Sequence, residues 1–521
     1  MKYIEYQAKN RIVSDDLLNK ILDYNGIYDI SLLNKQNYPY DYNNINDFIQ
    51  LIDKHKNISI IGDYDCDGIC ATSIMYLFLK RLGKEVYYII GNRVVDGYGM
   101  NENLINQVIN NKSTLLITVD NGINSYDEVE YAKNNGLDVI ITDHHLSSGD
   151  IPNCLLFNPH YDDNIVFKDV CGAFVAFSLV HSYFRHKNSV DKEFLTNLYE
   201  LAALATIADV MPLYDINRTI VNNLVKSINY NKVINKGIKL LVSTIIKQKP
   251  LQVSAMDLSF QLVPVINASG RLDDASFVVN LFTGFESNEL VDEIIKINEK
   301  RKNLTNEAFS NVKLDLNENI LVCLIEDISE GLLGILSGKI LNQTKKPTFI
   351  FTKTNDLIKG SGRSLENFDL HKSISSMNIN FNTFGGHKRA VGISFTNMED
   401  YLKFKKDVQA FSVEEAITYF ITYNYKNFYD VYKTLSSLEP IGEGIKIPYF
   451  YVEGYIKDVK LINGKHSSFR ININNKNESF ICFNKILESG YYRLLFEIKK
   501  SQYGLQGNVY KIAKIEKDTE F

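Results

Sequence analysis

The stretch ISIIGDYDCDGIC, residues 58–70, sets three aspartates, Asp63, Asp65 and Asp67, at alternate positions after a run of β-branched apolar residues. Three like charges this close repel one another and are costly to desolvate, so a solvated turn or a bound cation must hold them. Alone, DxDG is an ordinary turn in which Gly supplies the unusual backbone angle. Three more segments carry groups of the same kind: Asp120 in DNG, Asp143, His144 and His145 in DHH, and Asp209 in ATIADVMPL. No Lys or Arg lies inside these motifs. Gathered at one edge they would be strongly self-repelling, and two divalent cations about 3.5–4 Å apart would give each carboxylate a partner. Oxygen and imidazole donors without thiolate favour Mn²⁺ or Mg²⁺ over a structural zinc. Cys66, between two of the aspartates, is expected to point the other way by strand-like alternation.

The pattern of elements predicts how such a gathering arises. Residues 56–145 alternate apolar strands (NISII, VYYII, TLLITV, DVIIT) with helices expected over 69–81, near 104–110 and over 125–134. Short buried strands separated by helices predict an α/β domain with a parallel sheet covered on both faces. Ligands of such sheets bind beyond the carboxyl ends of the strands, which is where DYDCDG, DNG and DHH fall. Asp209 ends an apolar helical run from Leu195 to Ile207, with Pro212 as the stop.

Downstream, residues 219–315 read as mainly helical, with Leu290, Ile294, Ile297 and Leu304 on one face of a long connecting helix from Glu289 to Leu316. A second α/β pattern follows: NILVCLI, a helix over 332–343, PTFIFT, LIKGSGRS, a helix over 370–377 and FGGHKRAVGISF. From about 413 short strands and turns predict a small antiparallel β module. The expected division is an N-terminal segment 1–55, a catalytic domain 56–218, a helical connector 219–315, a second α/β substrate-binding domain 316–412 and a β module 413–521.

At 521 residues the chain is too long for one core. An apolar fraction of 45% with 23% charged residues is that of an ordinary globular protein. Six cysteines with no CxxC make neither a disulfide framework nor a zinc ribbon, which fits a reducing cytoplasm. MKYIEYQAKNRIVSDD has no apolar signal core and no stretch approaches about 18 apolar residues, so neither secretion nor membrane insertion is expected. A net charge of −5 excludes a generally basic nucleic-acid coat and leaves any polyanion to local patches and metal ions.

In this order, GDYDCDG, GYG (97–99), DNG, DHH and ADVMPL resemble the DHH phosphoesterase superfamily. PVINASGRLDDA (264–275), EGLLGILSGKI (330–340), GSGRSLENFDLHKSI (360–374), FGGHKRAVGISF (384–395) and LEPIGEG (438–444) are similar to successive landmarks of its RecJ family of bacterial single-strand 5′-to-3′ exonucleases. The resemblance implies a two-ion Mn²⁺ or Mg²⁺ site with Asp65, Asp67, Asp120, His144 and Asp209 as ligands and Asp120 as the bridge. His145 would sit near the scissile phosphate, with Asp63 and Asp143 in support. Two such ions would lower the pKa of an attacking water and stabilise charge on the leaving 3′ oxygen, releasing 5′-mononucleotides.

Ser361, Arg363 and Ser364, with Gly385, Gly386 and His387, combine a planar cation, hydroxyls and close backbone approach, all suited to a terminal 5′ phosphate. The resemblance adds Arg93 and Arg271 to these substrate contacts. The β module is similar in placement to an OB-fold, whose aromatic faces stack bases. Alternation should bury half of its aromatic residues, so no single stacking residue is singled out. The implied partners are single-stranded DNA with a 5′ end, and a helicase and a single-strand-binding protein in DNA repair and recombination, with the enzyme a monomer.

The sequence departs from the family pattern at Ile61, where some relatives carry a His, at Ile328 and Ser329, which replace a Trp-His pair, and at Ile445, where an Asn is expected. Phosphodiesterases of short oligoribonucleotides or cyclic dinucleotides share the core but usually lack the connector and β module. A manganese pyrophosphatase leaves the last hundred or so residues unexplained. An inactive single-strand-binding scaffold would be expected to have lost acids that are present here.

Overall fold

The computed structural model describes all residues except 1, 34–35, 93–96, 98, 247–251, 273, 286, 327, 355–356, 502–503 and 516–521. Five strands form one parallel sheet in the order Glu85–Ile90, Asn57–Gly62, Leu115–Val119, Asp138–Thr142, Leu155–Phe157. Both faces are covered, so these strands are continuously apolar. Ile58 and Ile60 face the helices Cys66–Arg81, Gly172–His186 and Lys192–Ala208, while Ile61 faces Glu102–Asn110 and Tyr126–Asn134. Register matters most for function: Gly62 pairs with Val119, and Val119 with Thr142. Asp63, Asp120 and Asp143 therefore leave the sheet at one level.

The first helix starts at Cys66, three residues earlier than its apolar run predicts, because Asp65 caps it. Cys66 does turn away from the aspartates into the core, 1% exposed, but helical geometry directs it rather than strand alternation. Ile61 is equally buried, 1% exposed, in the apolar cluster on the other face of the sheet. That position offers no ligand.

The connector contains the helices Asp215–Asn229, Lys236–Ile245, Val263–Leu272, Ser276–Thr283 and Asn288–Asn311, with a short helix Ala255–Asp257 and a π-helical turn Leu258–Leu262 leading into the third. The last ends at Asn311 rather than Leu316, and its buried face is Val291, Ile294, Ile297, Asn298 and Thr305. Leu290 and Leu304 fall to the side, with Leu304 37% exposed, and Val291 and Thr305 take the buried places beside the expected Ile294 and Ile297. Beyond it, a mixed sheet runs in the order Thr383–His387, Ala390–Phe395, Ile358–Arg363, Thr348–Lys353, Leu321–Ile325. The helix Glu330–Thr344 packs on it.

The C-terminal strands close into a barrel. Tyr449–Ile462 pairs with both His466–Ile473 and Gly490–Ser501, and Gly504–Lys514 joins Gly490–Ser501 to Lys476–Cys482. The module is thus not wholly antiparallel: an odd ring of five strands cannot alternate direction throughout, and Lys476–Cys482 runs parallel to Gly504–Lys514. Two more parallel pairings add Ile417–Thr422 and, from the other end of the chain, Lys2–Glu5.

Residues 1–55, read above as one segment, divide between two cores. Leu17, Ile21 and Leu22 of the helix Asp16–Tyr24 join the barrel cluster, whereas Tyr40, Tyr42 and Phe48 join the parallel-sheet cluster. Leu22→Ala removes a side chain that is fully buried against the barrel, and is expected to destabilise that module by about 2–5 kcal/mol. Denaturant unfolding should register the loss while Mn²⁺ binding at the sheet edge, measured by calorimetry, stays unchanged.

Candidate metal centre and active site

The turn after Asn57–Gly62 is built by its own aspartates. Asp65 Oδ1 accepts hydrogen bonds from Asp67 N at 2.9 Å and Gly68 N at 3.1 Å, which starts the helix within two residues of the strand's end turn. Gly68 is required there, since a β-carbon would lie 2.4 Å from the Asp63 carbonyl oxygen. Asp67 is held from a third segment: its two carboxylate oxygens accept from Gly172 N at 2.7 Å and Ala173 N at 2.8 Å. These amides open the helix Gly172–His186, whose N-terminal dipole favours the anion. Asp120 follows its strand in the left-handed region, φ 61, and packs so closely that a β-carbon on Gly172 would sit 2.5 Å from its Oδ1.

The two histidines are fixed differently. Asp143, 1% exposed, accepts from the amides of Ile123, His144 and His145, and from His145 Nδ1 at 2.8 Å. His144 Nε2 lies 3.2 Å from Asp120 Oδ1, 3.6 Å from Asp209 Oδ2 and 3.8 Å from Asp67 Oδ2. Asp209 caps the carboxyl end of Lys192–Ala208, a position where the helix dipole disfavours an anion.

Ionisation follows from this crowding. Burial raises the Asp67 carboxyl, with His144 opposing and Asp65 adding to the rise. Asp120 is pushed well above the ordinary carboxylate range by burial and then by Asp67, Asp65, Asp63 and Asp209. Asp209 is pushed up likewise, by burial, Asp67 and Asp65. Burial and the neighbouring His145 lower His144 to about 4, so its ring is neutral. Burial works against charge on His145 too, but its hydrogen bond to Asp143 outweighs that and raises it to about 9. For Asp143 burial is again outweighed by His145, and the carboxyl is lowered.

These groups fit divalent cations. Asp209 Oδ2 is buried and makes no hydrogen bond, and the raised carboxyls mark a deficit of positive charge at the edge. Three sets of donor atoms each lie within 4.8 Å of one another: Asp63, Asp65 and Asp120; Asp67, His144 and Asp209; Asp120, His144 and His145. Asp120 and His144 are each shared by two sets. Oxygen and imidazole donors without sulfur suit Mn²⁺ or Mg²⁺. Asp63, expected in support, and His145, expected near the scissile phosphate, each fall in one of these sets.

The phosphate candidates lie on the second unit and at its junction with the connector. Arg363 Nη1 donates to Ser361 Oγ at 2.8 Å and to the Gly362 carbonyl at 2.8 Å. Gly334, on the facing helix, leaves room for that guanidinium, since a β-carbon there would be 2.5 Å from Nη2. Ser364 is buried, with its amide donating to the Arg389 carbonyl. Gly385, Gly386 and His387 lie exposed on the edge strand Thr383–His387. Arg271, in the last turn of Val263–Leu272, reaches across to the Gly331 carbonyl at 3.1 Å. Arg93 lies outside the described residues.

Of the departures, Ile445 is fully buried in the barrel core and Ile328 packs partly buried beneath the Glu330–Thr344 helix. Ser329 is the residue before that helix and makes no side-chain cap. Sequence reasoning missed Asn267, whose Oδ1 accepts from Cys66 N at 2.7 Å, and Gly270, whose missing β-carbon would meet the Tyr64 carbonyl at 2.0 Å. Both lie in PVINASGRLDDA, a motif from which only Arg271 was singled out above. A polar Asn inside an apolar helical run was the available signal.

Residues 57–206 match the DHH family, N-terminal domain, and residues 317–414 match the DHHA1 domain. The single-stranded-DNA-specific exonuclease RecJ of Bacillus subtilis is 32% identical over 360 residues, 66% of this chain and 44% of that protein. The chain therefore spans less than half the length of that relative. The crystal structure of RecJ from Thermus thermophilus in complex with Mn²⁺ superposes with a TM-score of 0.82 at 22% identity, covering 99% of this chain and 79% of the other. A second crystal structure, exonuclease RecJ bound to manganese, is 28% identical with a TM-score of 0.61 and covers 72% of this chain and 95% of that one. Among the described residues no helix is long and apolar enough to cross a membrane. The paired DHH and DHHA1 domains, the sequence similarity and the shared architecture agree: the chain belongs to the RecJ family of the DHH superfamily.

Proposed function

We propose that this chain is a metal-dependent exonuclease that degrades single-stranded DNA from the 5′ end and releases 5′-mononucleotides. The observation that carries the reading is the meeting of Asp63, Asp65 and Asp120, and of Asp67, His144 and Asp209, in two ligand-sized sets that a third, Asp120, His144 and His145, links. The six residues of the first two sets would hold two Mn²⁺ or Mg²⁺ ions, which, when bound, activate water and offset charge on the leaving oxygen. Membership of the RecJ family supports this activity, since the B. subtilis relative is a single-stranded-DNA-specific exonuclease.

The rest of the chemistry falls to the protein. Asp143 orients His145 toward the cluster and fixes which ring nitrogen is free. The Gly172 and Ala173 amides hold Asp67 in place without carrying charge of their own. Arg271, Arg363, Ser361, Ser364, Gly385, Gly386 and His387, with Arg93, would hold the 5′-terminal phosphate, so that cleavage counts from the end of the strand. The barrel would guide the remaining strand. A groove of about 1,490 Å³ between the connector and the barrel, lined in part by Lys239, Lys446, Lys499 and Lys500 and by the acids Asp257, Glu439, Glu443 and Glu497, gives room for that route. A cytoplasmic monomer that receives DNA from a helicase and a single-strand-binding protein, in repair and recombination, completes the reading.

The test is incubation with Mn²⁺ and a 5′-labelled single strand. Release of labelled mononucleotide supports the exonuclease. Cleavage of dinucleotides alone would point to a short-oligomer enzyme, and retention without cleavage to a scaffold. Asp120→Ala should abolish hydrolysis; turnover at the unsubstituted rate would sink the assignment. Asp143→Asn should lower kcat by about 10–100-fold, the usual loss when a partner that orients a ligand is removed. Arg363→Ala should mainly raise KM and narrow the preference for 5′-phosphorylated over 5′-hydroxyl strands. Mn²⁺ at 100 times its Kd should stabilise the fold by about 2.7 kcal/mol per site, read as a rise in melting temperature that EDTA reverses.

A further inference from the structure

We propose that a cavity beside the candidate metal centre is a nucleobase pocket that favours bases with an exocyclic amino group, with Glu443 and Asp169 as its reading residues. The proposal rests on the exonuclease reading and names a contact that reading leaves open. The cavity, about 320 Å³, abuts His144, so whatever fills it lies next to the scissile phosphate. That volume is at the small end of ligand pockets, which run from about 300 to 1,000 Å³, and suits one ring system rather than a stack. Val170, Met211 and Pro212 supply apolar surface for a ring face. Among the described residues its polar lining is His144, His160, Asp169 and Glu443, with no Lys or Arg. Such a wall repels phosphate and accepts hydrogen bonds from N–H groups.

Glu443 does not come from the sheet that bears the metal cluster. It lies on the segment leading into the barrel, and that segment is locked down. Arg218, only 8% exposed, donates to the carbonyls of Leu438 at 3.0 Å, Glu439 at 2.7 Å and Pro440 at 3.2 Å. Leu213 N donates to the Glu443 carbonyl at 2.8 Å. Gly442 and Gly444 press on Leu213 and Tyr214, where β-carbons would lie 2.7 and 2.8 Å from side-chain atoms. Lys446 stands 3.4 Å from Glu443 but is engaged more closely, at 2.6 Å, by Glu366. The His160 amide donates to Asn158 Oδ1, and Asn158 Nδ2 to the His145 carbonyl, tying the pocket to the histidine pair. The pocket is therefore preformed. A carboxylate accepts from the amino group of cytosine or adenine, whereas thymine presents a carbonyl and a methyl at that edge.

The experiment uses the full chain and 5′-phosphorylated oligo(dT) strands carrying a single dC or dA at nucleotide one, two or three. Binding is read by fluorescence anisotropy with calcium in place of manganese, and cleavage by single-turnover kinetics with manganese. At one of the three positions the amino-bearing base should bind about tenfold more tightly than thymine, the scale of one hydrogen bond to a charged group. Glu443→Gln, whose amide can also donate to a thymine carbonyl, should level that ratio while leaving Mn²⁺ affinity by calorimetry unchanged. Asp169→Asn should reduce it. Equal binding of all strands by the unsubstituted protein, or an unchanged ratio in both variants, overturns the pocket even if cleavage is brisk. Base-dependent binding without cleavage supports the pocket and counts against the exonuclease reading instead.

Discussion

Electrostatic repulsion at the carboxyl edge of the parallel sheet is the constraint around which this structure is arranged. Asp67 and Asp120 are buried and Asp209 is partly buried beside them, and their carboxyls are driven upward by lost solvation and by neighbouring charge. Left to itself a chain would splay such groups into water. Here each is held by a separate, independently anchored element. Asp67 sits on the amides of Gly172 and Ala173, Asp120 in a left-handed turn against Gly172, and Asp209 on the last turn of a buried helix. The folding energy of an extensive apolar core is what keeps like charges in range of a shared cation. A rigid scaffold with a charge deficit is a preorganised cation site.

The same logic explains why so much glycine and amide surface surrounds the site. Gly68, Gly172 and Gly270 each mark a place where backbone or carboxylate approaches more closely than a β-carbon would allow. The Val263–Leu272 helix closes against the aspartate turn through Asn267 and Gly270 and reaches the second α/β unit through Arg271. One short helix thus touches both the acidic edge and the unit that carries the basic and hydroxyl groups. Positive and negative halves of the candidate active site are kept on different sheets, which prevents Arg363 from simply neutralising the aspartates.

The barrel is joined to this centre by more than a linker. Arg218 fastens the carbonyls that lead into it, and the chain's own beginning extends its sheet through Lys2–Glu5 and fills its core through Leu17, Ile21 and Leu22. Two ends of the chain, more than four hundred residues apart, stabilise one module. The barrel is consequently coupled to the loop that follows Asp209.

Much of the site was legible in the sequence because its carriers are local. Alternation of apolar strands and helices announces a parallel sheet, and polar motifs at strand ends announce its ligand edge. Asp63, Asp65, Asp67, Asp120, His144 and Asp209 could thus be singled out from pattern, with their roles supplied by resemblance. The errors have local causes too. The capping carboxylate of Asp65 moved a helix start back to Cys66, and on the buried face of Asn288–Asn311 Val291 and Thr305 displaced Leu290 and Leu304 while Ile294 and Ile297 stayed. By itself the sequence determined which side chains could bind a cation and on which elements they ride, since composition and periodicity are properties of short stretches. Only the tertiary structure decided the register that levels Asp63 with Asp120 and Asp143, the amides that grip Asp67, the parallel closure of the barrel, and the approach of Glu443 to His144. Those depend on contacts between residues far apart in the chain, and no local pattern encodes them.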